Sequence, residues 1–179
     1  MRPTQEFIDQ VLILRCQLRD REAFAELIDR YQRPLRYFVT RLVGSPERAE
    51  EFCQETWLTV LSKIHTLRDA GTFTTWLYRI ARNKVYQELR RKKQVVELDE
   101  DVAAPDSTED EIDFGDDVAK LHRCLDRLNP IHKEVLLLKF LEEMSYEQMA
   151  DVLECNIGTV RSRIFHAKLA LRKELEESL

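Results

Sequence analysis

Between Gly158 and Lys168 the chain places Thr159, Arg161, Ser162, Arg163, Phe165, His166 and Lys168 close together. Guanidinium, hydroxyl and ammonium groups so spaced are donors suited to phosphate oxygens and base edges. The elements that must present them can be read almost residue by residue. Ser145 with Gln148 has the spacing of a capping box, opening a short helix over Tyr146–Leu153 that turns Met149, Ala150 and Leu153 inward. Glu154-Cys155-Asn156 breaks the pattern, and Asn156 can cap a second helix from Ile157. Along it Val160, Ile164, Ala167 and Leu171 form one apolar stripe at i, i+4, i+7 and i+11. Gly158, Thr159, Ser162, Phe165 and His166 lie roughly opposite, with Arg161, Arg163, Lys168 and Arg172 on the flanks. A short helix, a three-residue turn and a basic helix is the pattern of a DNA-reading helix-turn-helix. An ordinary helical hairpin with a solvated charged face has the same periodicity.

Two further clusters stand earlier in the chain. The loop Arg68-Asp69-Ala70-Gly71-Thr72, with Gly71 as its turn residue, leads into a helix over Phe73–Lys93. Trp76, Leu77, Ile80, Ala81 and Val85 mark its buried side, while Arg79, Arg82, Asn83, Lys84, Tyr86 and Gln87 point out. Arg90-Arg91-Lys92-Lys93 closes it. Such a tetrad complements a helix dipole, and the whole surface also suits a nucleic-acid backbone with unstacked bases; both readings stand. The preceding helix, Pro46 to Leu67, turns Ala49, Cys53, Trp57, Val60 and Ile64 inward. Glu51, Glu55, Leu58 and Ser62 lie on its far side, flanked by Gln54. That face is either solvated or a protein-docking surface, for which an exposed Leu among carboxylates is a mild sign.

Composition narrows the classes. With 179 residues, 44% hydrophobic, four Gly and five Pro, the chain reads as all-helical and soluble, one large domain or two small ones. The N-terminus lacks the apolar run of a signal peptide and no segment approaches membrane-spanning length, so a cytoplasmic protein without membrane insertion is expected. The net charge of −5 conceals segregation. Residues 1–93 carry 18 Lys/Arg against 12 Asp/Glu, residues 94–118 carry 11 Asp/Glu and no Lys or Arg, and residues 119–179 carry 10 of each. Two helical parts with basic faces are thus joined by an acidic strip. Cys16, Cys53, Cys124 and Cys155 form no CxxC pair, and no His has a metal-ligand partner at the usual spacing. Buried reduced thiols, no metal, no cofactor and no catalysis are expected.

The remaining elements follow by period and cap. Thr4 caps a first helix with Phe7, Ile8, Val11, Leu12 and Leu18 as its apolar face. Asp20 caps a second, in which Phe24, Leu27, Ile28, Tyr31, Leu35, Phe38 and Leu42 keep the period to Val43 around a kink at Pro34. Gly44 stops it and Ser45-Pro46 restarts the chain. From 94 to 117 a self-repelling, extended linker is expected. Near Val118 a last domain begins: Leu121, Leu125 and Leu128 on one helix, ended by Asn129-Pro130, then Val135, Leu136, Leu138 and Phe140 packed under the helix-turn-helix. The domains expected are therefore 1–93, 94–117 and 118–179.

Four motifs in order carry a family resemblance. They are Asp20-Arg21-Glu22-Ala23-Phe24, Ala49-Glu50-Glu51 with Gln54-Glu55, "TWLYRIARN" from Thr75 to Asn83, and "GTVRSRIFHAK" from Gly158 to Lys168. With them the chain resembles a bacterial sigma factor of the extracytoplasmic-function type, over nearly its whole length apart from the linker. The resemblance implies a four-helix region 2 and a helix-turn-helix region 4, a subunit that gives RNA polymerase promoter specificity and catalyses nothing itself. It implies that Glu51, Gln54, Glu55 and Leu58 dock on the β′ coiled coil of core polymerase, with region 4 at the β flap. Arg68, Asp69, Gly71, Arg79, Arg82, Asn83, Lys84, Tyr86, Gln87, Arg90 and Arg91 would open and hold the −10 element, including a flipped-out base on the non-template strand. Thr159, Arg161, Ser162, Arg163, Phe165, His166 and Lys168 would read the −35 duplex in the major groove, Arg161 toward phosphate because it lies on the flank. The acidic strip would either run through the polymerase cleft as a nucleic-acid mimic or serve as a passive tether between the domains, and a cognate anti-sigma factor would cover the docking faces. Gln87 stands where many members have Asp. His166 stands where close relatives often carry Arg, which makes that contact weaker and pH-dependent.

Two other classes fit less well. A stand-alone helix-turn-helix regulator would bind duplex DNA as a dimer, but no dimer helix is evident and a second basic domain is left over. A nuclease would need clustered carboxylates for metal ions, and the acidic cluster lies in the linker without His or Lys.

Overall fold

The computed structural model describes residues 5–96 and 116–177, with side chains over 7–91 and 120–177; every element among the described residues is helical. Contacts divide the chain into two units, one holding most of the first four helices and the other the last four.

In the first unit α1 (Gln5–Gln17), α2 (Arg21–Val43), α3 (Pro46–Lys63) and α4 (Phe73–Val96) surround one core. The corner between α1 and α2 is made locally. Asp20 Oδ1 accepts the Glu22 and Ala23 N–H groups at 3.0 and 3.1 Å, and Arg15 pairs with the same carboxylate at 2.6 Å. These bonds, the Ala23 one first, hold the Asp20 carboxyl below its usual range. At the other end of α2, Gly44 takes φ 72°, the left-handed turn that a Cβ would strain. Pro34 sits inside a helix that nevertheless runs on to Val43. The expected inward stripe of α3 is buried in full, joined by Phe52 and Thr56. Edge-to-face pairs lock the layers: Phe38 on Tyr78 at 5.1 Å and Tyr31 on Phe73 at 5.2 Å. Such pairs add about 0.5–1.5 kcal/mol beyond burial.

Three expectations need correction here. The buried side of α1 is Leu12, Ile13 and Cys16; Phe7, Val11 and Leu18 face out, Leu18 at 83% exposure. Helix α3 ends at Lys63, and Ile64–Thr66 is a separate 3-10 turn. Helix α4 continues past Lys93 to Val96, whereas most of the acidic strip, residues 97–115, lies outside the described residues.

The second unit comprises α5 (Asp116–Arg127), α6 (Pro130–Leu136), a π-helical turn (Leu137–Leu141), α7 (Tyr146–Leu153) and α8 (Ile157–Glu177). Asn129 caps α6, accepting the His132 N–H at 2.8 Å, with Pro130 in the first helical position. Helices α5, α6 and α7 all pack on α8. Val135, Leu136, Leu137 and Leu138 are buried, but Phe140 is not: the π turn swings it to 59% exposure. On α7 it is Val152, not Ala150, that joins Met149 and Leu153 in the core.

Cys16, Cys53 and Cys124 are buried and Cys155 is half-buried. Burial pushes the Cys16 thiol up to about 11 and the Cys53 thiol up to about 12. A thiol-alkylating reagent at neutral pH is therefore expected to label Cys155 well before Cys16 or Cys53, with peptide mass spectrometry as the check.

Candidate nucleic-acid interface

The helix-turn-helix is held by its caps. Ser145 Oγ accepts the Gln148 N–H at 3.1 Å while Gln148 Oε1 accepts the Ser145 N–H at 2.8 Å, completing the capping box. The turn passes through Glu154 at φ 52°. Asn156 Oδ1 then accepts both the N–H and the hydroxyl of Thr159, at 2.7 and 3.0 Å, starting α8. Removing either cap should loosen the start of its helix.

On α8 the side chains sort by exposure. Arg161, Ser162, Phe165, His166 and Lys168 are exposed, Phe165 at 60%, and the Phe165 and His166 rings meet edge to face at 5.4 Å. Thr159 is half-buried and committed to the cap. Arg163 is also half-buried; it turns back to donate to Cys155 Sγ at 3.9 Å, bracing the turn from within. Beside this face stand residues absent from the sequence reading of the site. The Tyr146 ring lies 5.8 Å from the Arg161 guanidinium and 5.2 Å from the Lys139 ammonium, and the Phe140 ring 5.2 Å from the Lys168 ammonium. Tyr146 opens α7 while Lys139 and Phe140 lie in the π turn, so ring and cation come from separate elements and periodicity within one helix does not show the pairing.

In the first unit the loop before α4 is built on Asp69. Its carboxylate accepts the Gly71 N–H at 2.9 Å and its carbonyl accepts the Thr72 hydroxyl at 2.8 Å, forming a 3-10 turn over Ala70–Thr72. A Cβ on Gly71 would come within 3.2 Å of Asp69 Oδ1 and 3.3 Å of Gln10 Nε2, so a larger residue there would have to displace these two side-chain ends slightly. Gln17 fixes the stretch ahead of the loop, donating to the Ile64 and Leu67 carbonyls at 3.1 and 2.7 Å. Arg68, Asp69 and Gly71 are exposed above it.

Along α4, Arg79, Arg82, Asn83, Lys84 and Tyr86 are half-buried and Gln87, Arg90 and Arg91 exposed. The Arg82 guanidinium lies over the Tyr86 ring at 4.6 Å. Lys84 pairs with Glu55 of α3 at 3.4 Å and Arg91 with Glu88 at 2.9 Å. The Lys84–Glu55 pair joins the outer faces of α3 and α4, whereas Arg91–Glu88 lies within α4. Arg48, Glu51, Glu55, Lys84, Gln87 and Arg91 line one groove between α3 and α4. Glu51, Gln54, Glu55 and Leu58 are exposed on its α3 side, Leu58 at 67%, with Leu61 beside them at 56%. An apolar spot ringed by carboxylates suits a partner surface that is basic with an apolar centre.

Among the described residues no three His, Cys, Asp or Glu side chains gather as a metal site, and no helix is long and apolar enough to cross a membrane.

The family model Sigma-70 region 2 matches residues 27–95 and the model Sigma-70, region 4 matches residues 119–171. The chain is 32% identical to the RNA polymerase sigma-H factor of Pseudomonas aeruginosa, over 96% of its own length and 95% of that protein. It is 31% identical to the ECF RNA polymerase sigma-E factor of Haemophilus influenzae, over 96% and 97%. Among solved structures, the sigma factor RpoE in complex with the anti-sigma factor NepR from Bartonella quintana matches with a TM-score of 0.77 at 24% identity, over 86% of this chain and 96% of that one. CnrH in complex with the cytosolic domain of CnrY matches with a TM-score of 0.70 at 22% identity, over 96% and 99%. At these identities the structural likeness is one of fold.

Proposed function

Because the chain belongs to the extracytoplasmic-function sigma factors of bacterial RNA polymerase, we propose that its two helical units take hold of the two halves of a promoter while the chain rides on core polymerase. The observation that carries this reading is the exposed face of α8, a capped helix offering Arg161, Ser162, Phe165, His166 and Lys168 together. A face of that width enters the major groove of the −35 duplex, with Arg161 and Lys168 on its flanks toward phosphate. Thr159 and Arg163 act by holding the helix and turn in place.

At the −10 element the loop 68–72 and α4 receive the non-template strand. Extruding a base costs a few kcal/mol and needs a rigid receiver. The Asp69–Gly71 turn supplies rigidity, Tyr86 and Arg82 a stacking platform, and Arg79, Asn83, Lys84, Gln87, Arg90 and Arg91 the donors. Glu51, Gln54, Glu55 and Leu58 dock on the β′ coiled coil, and the second unit meets the β flap. The chain itself catalyses nothing; bond formation belongs to polymerase, in the cytoplasm. The acidic strip 94–117 lies in a channel made for nucleic acid, and its carboxylates supply the attraction. Exchanging them for amides is expected to weaken holoenzyme assembly or alter the yield of abortive transcripts, as gel-resolved initiation assays would read. A cognate anti-sigma factor is the expected regulator, a reading supported by the complexes with NepR and CnrY named above.

One substitution tests the α8 face directly. His166→Arg puts a permanent cation where the family often has one, so −35 binding is expected to tighten about threefold or more, with a salt slope steeper by about one. Filter binding of the chain bound to core polymerase, across a salt series, reads both.

The experiment for the reading as a whole compares promoter DNA with and without core polymerase. Sequence-specific binding and permanganate-reactive −10 thymines are expected only when core is present. Tight binding of a palindromic duplex by the chain alone would favour a dimeric regulator instead.

A further inference from the structure

Phe140 lies in the π-helical turn Leu137–Leu141 and stands 59% exposed, although a buried run from Glu134 to Leu138 leads up to it. An α-helical continuation would stack it over Leu136 and Leu137, both buried. Instead the Glu142 N–H reaches back five residues to the Leu137 carbonyl at 3.2 Å, and the wider turn carries position 140 outward. An exposed Phe forgoes most of the stabilisation that burial supplies, so its place calls for another account. The Lys168 ammonium of α8 lies 5.2 Å from its ring centroid, within cation–π reach.

We propose that Phe140 is a positioning residue for promoter binding, its ring seating the Lys168 ammonium and holding it toward the phosphates beside the −35 element. The inference rests on reading α8 as the −35 reader. A free lysine loses much rotamer freedom when it binds a phosphate, and a seat removes part of that cost beforehand. A carboxylate would also restrain the ammonium, but it would neutralise the charge that phosphate requires. An aromatic face attracts the cation and leaves its charge available. The same device recurs one step along the surface, where Tyr146 lies under both Arg161 and Lys139.

The test is a double-mutant cycle in the full chain, bound to the core polymerase of its own organism, on a duplex carrying the −35 element. Phe140→Leu keeps an apolar side chain and removes the π face; it is expected to weaken binding about three- to fivefold at fixed salt. Its salt slope should stay that of wild type, because no cation is lost. Phe140→Tyr should recover wild-type affinity to within about twofold, separating the π face from a folding defect. Lys168→Ala should flatten the salt slope by about one. In the Lys168→Ala background, Phe140→Leu should cost nothing further. Wild-type affinity for Phe140→Leu, or the same loss with and without Lys168, would overturn the proposal while leaving the −35 reading intact. If Lys168→Ala and Arg161→Ala both bound like wild type, the −35 reading itself would fall.

Discussion

Leu58→Ala is expected to raise the dissociation constant of the chain for core RNA polymerase by about thirtyfold, which corresponds to about 2 kcal/mol. Leu58 is 67% exposed, so the fold loses little when its side chain is cut back, and alanine favours the helix. The melting temperature should therefore hold. What is lost is an apolar centre surrounded by Glu51, Gln54 and Glu55; the two Glu carboxylates guide a basic partner and the rim excludes water from the Leu. Glu55→Ala should act differently, slowing association and reducing its salt dependence. Unchanged affinity for Leu58→Ala, measured by fluorescence anisotropy with core polymerase, would remove α3 from the docking surface.

The second large effect concerns stability. Leu138 is fully buried, and Leu138→Ala should cost about 2–5 kcal/mol from lost contacts and the cavity left behind. A unit of about sixty residues has only about 3–9 kcal/mol of total stability. The helix-turn-helix is thus expected to be partly unfolded at growth temperature, with −35 binding lost. Docking through α3 should survive, since those side chains belong to the other unit. Thermal unfolding followed by circular dichroism, with binding to core polymerase measured in parallel, checks both halves. A single transition lowered as a whole, with docking lost alongside, would contradict separate modules.

What the sequence allowed depended on how local the determining physics is. The capping box at Ser145 and Gln148, the Asn156 cap and the Asp20 cap are each settled within four residues, and all three were legible. The α3 stripe was legible because polar residues interrupt it. Helix α1 was not: Val11-Leu12-Ile13-Leu14 is apolar on every side, so the buried edge is chosen by its neighbours, and Leu12 and Ile13 win it. Phe140 escapes the helical period for a related reason, since a π turn shifts the helical phase without leaving a sequence signal. At the site, the list of exposed α8 residues was legible from periodicity. That Arg163 braces the turn and that Tyr146 and Phe140 sit under cations was not, because these contacts join separate elements. The Lys84–Glu55 pair that brings α3 and α4 to one groove is of the same kind.

The most direct measurement places a photo-crosslinking amino acid at position 165 on α8 and, in a second variant, at position 86 on α4, each bound to core polymerase on a promoter. Position 165 is predicted to crosslink to duplex DNA at the −35 element and position 86 to the non-template strand at the −10 element. Crosslinks from both positions to one element, or from position 165 to duplex DNA with no polymerase present, would contradict a chain that divides the promoter between two units.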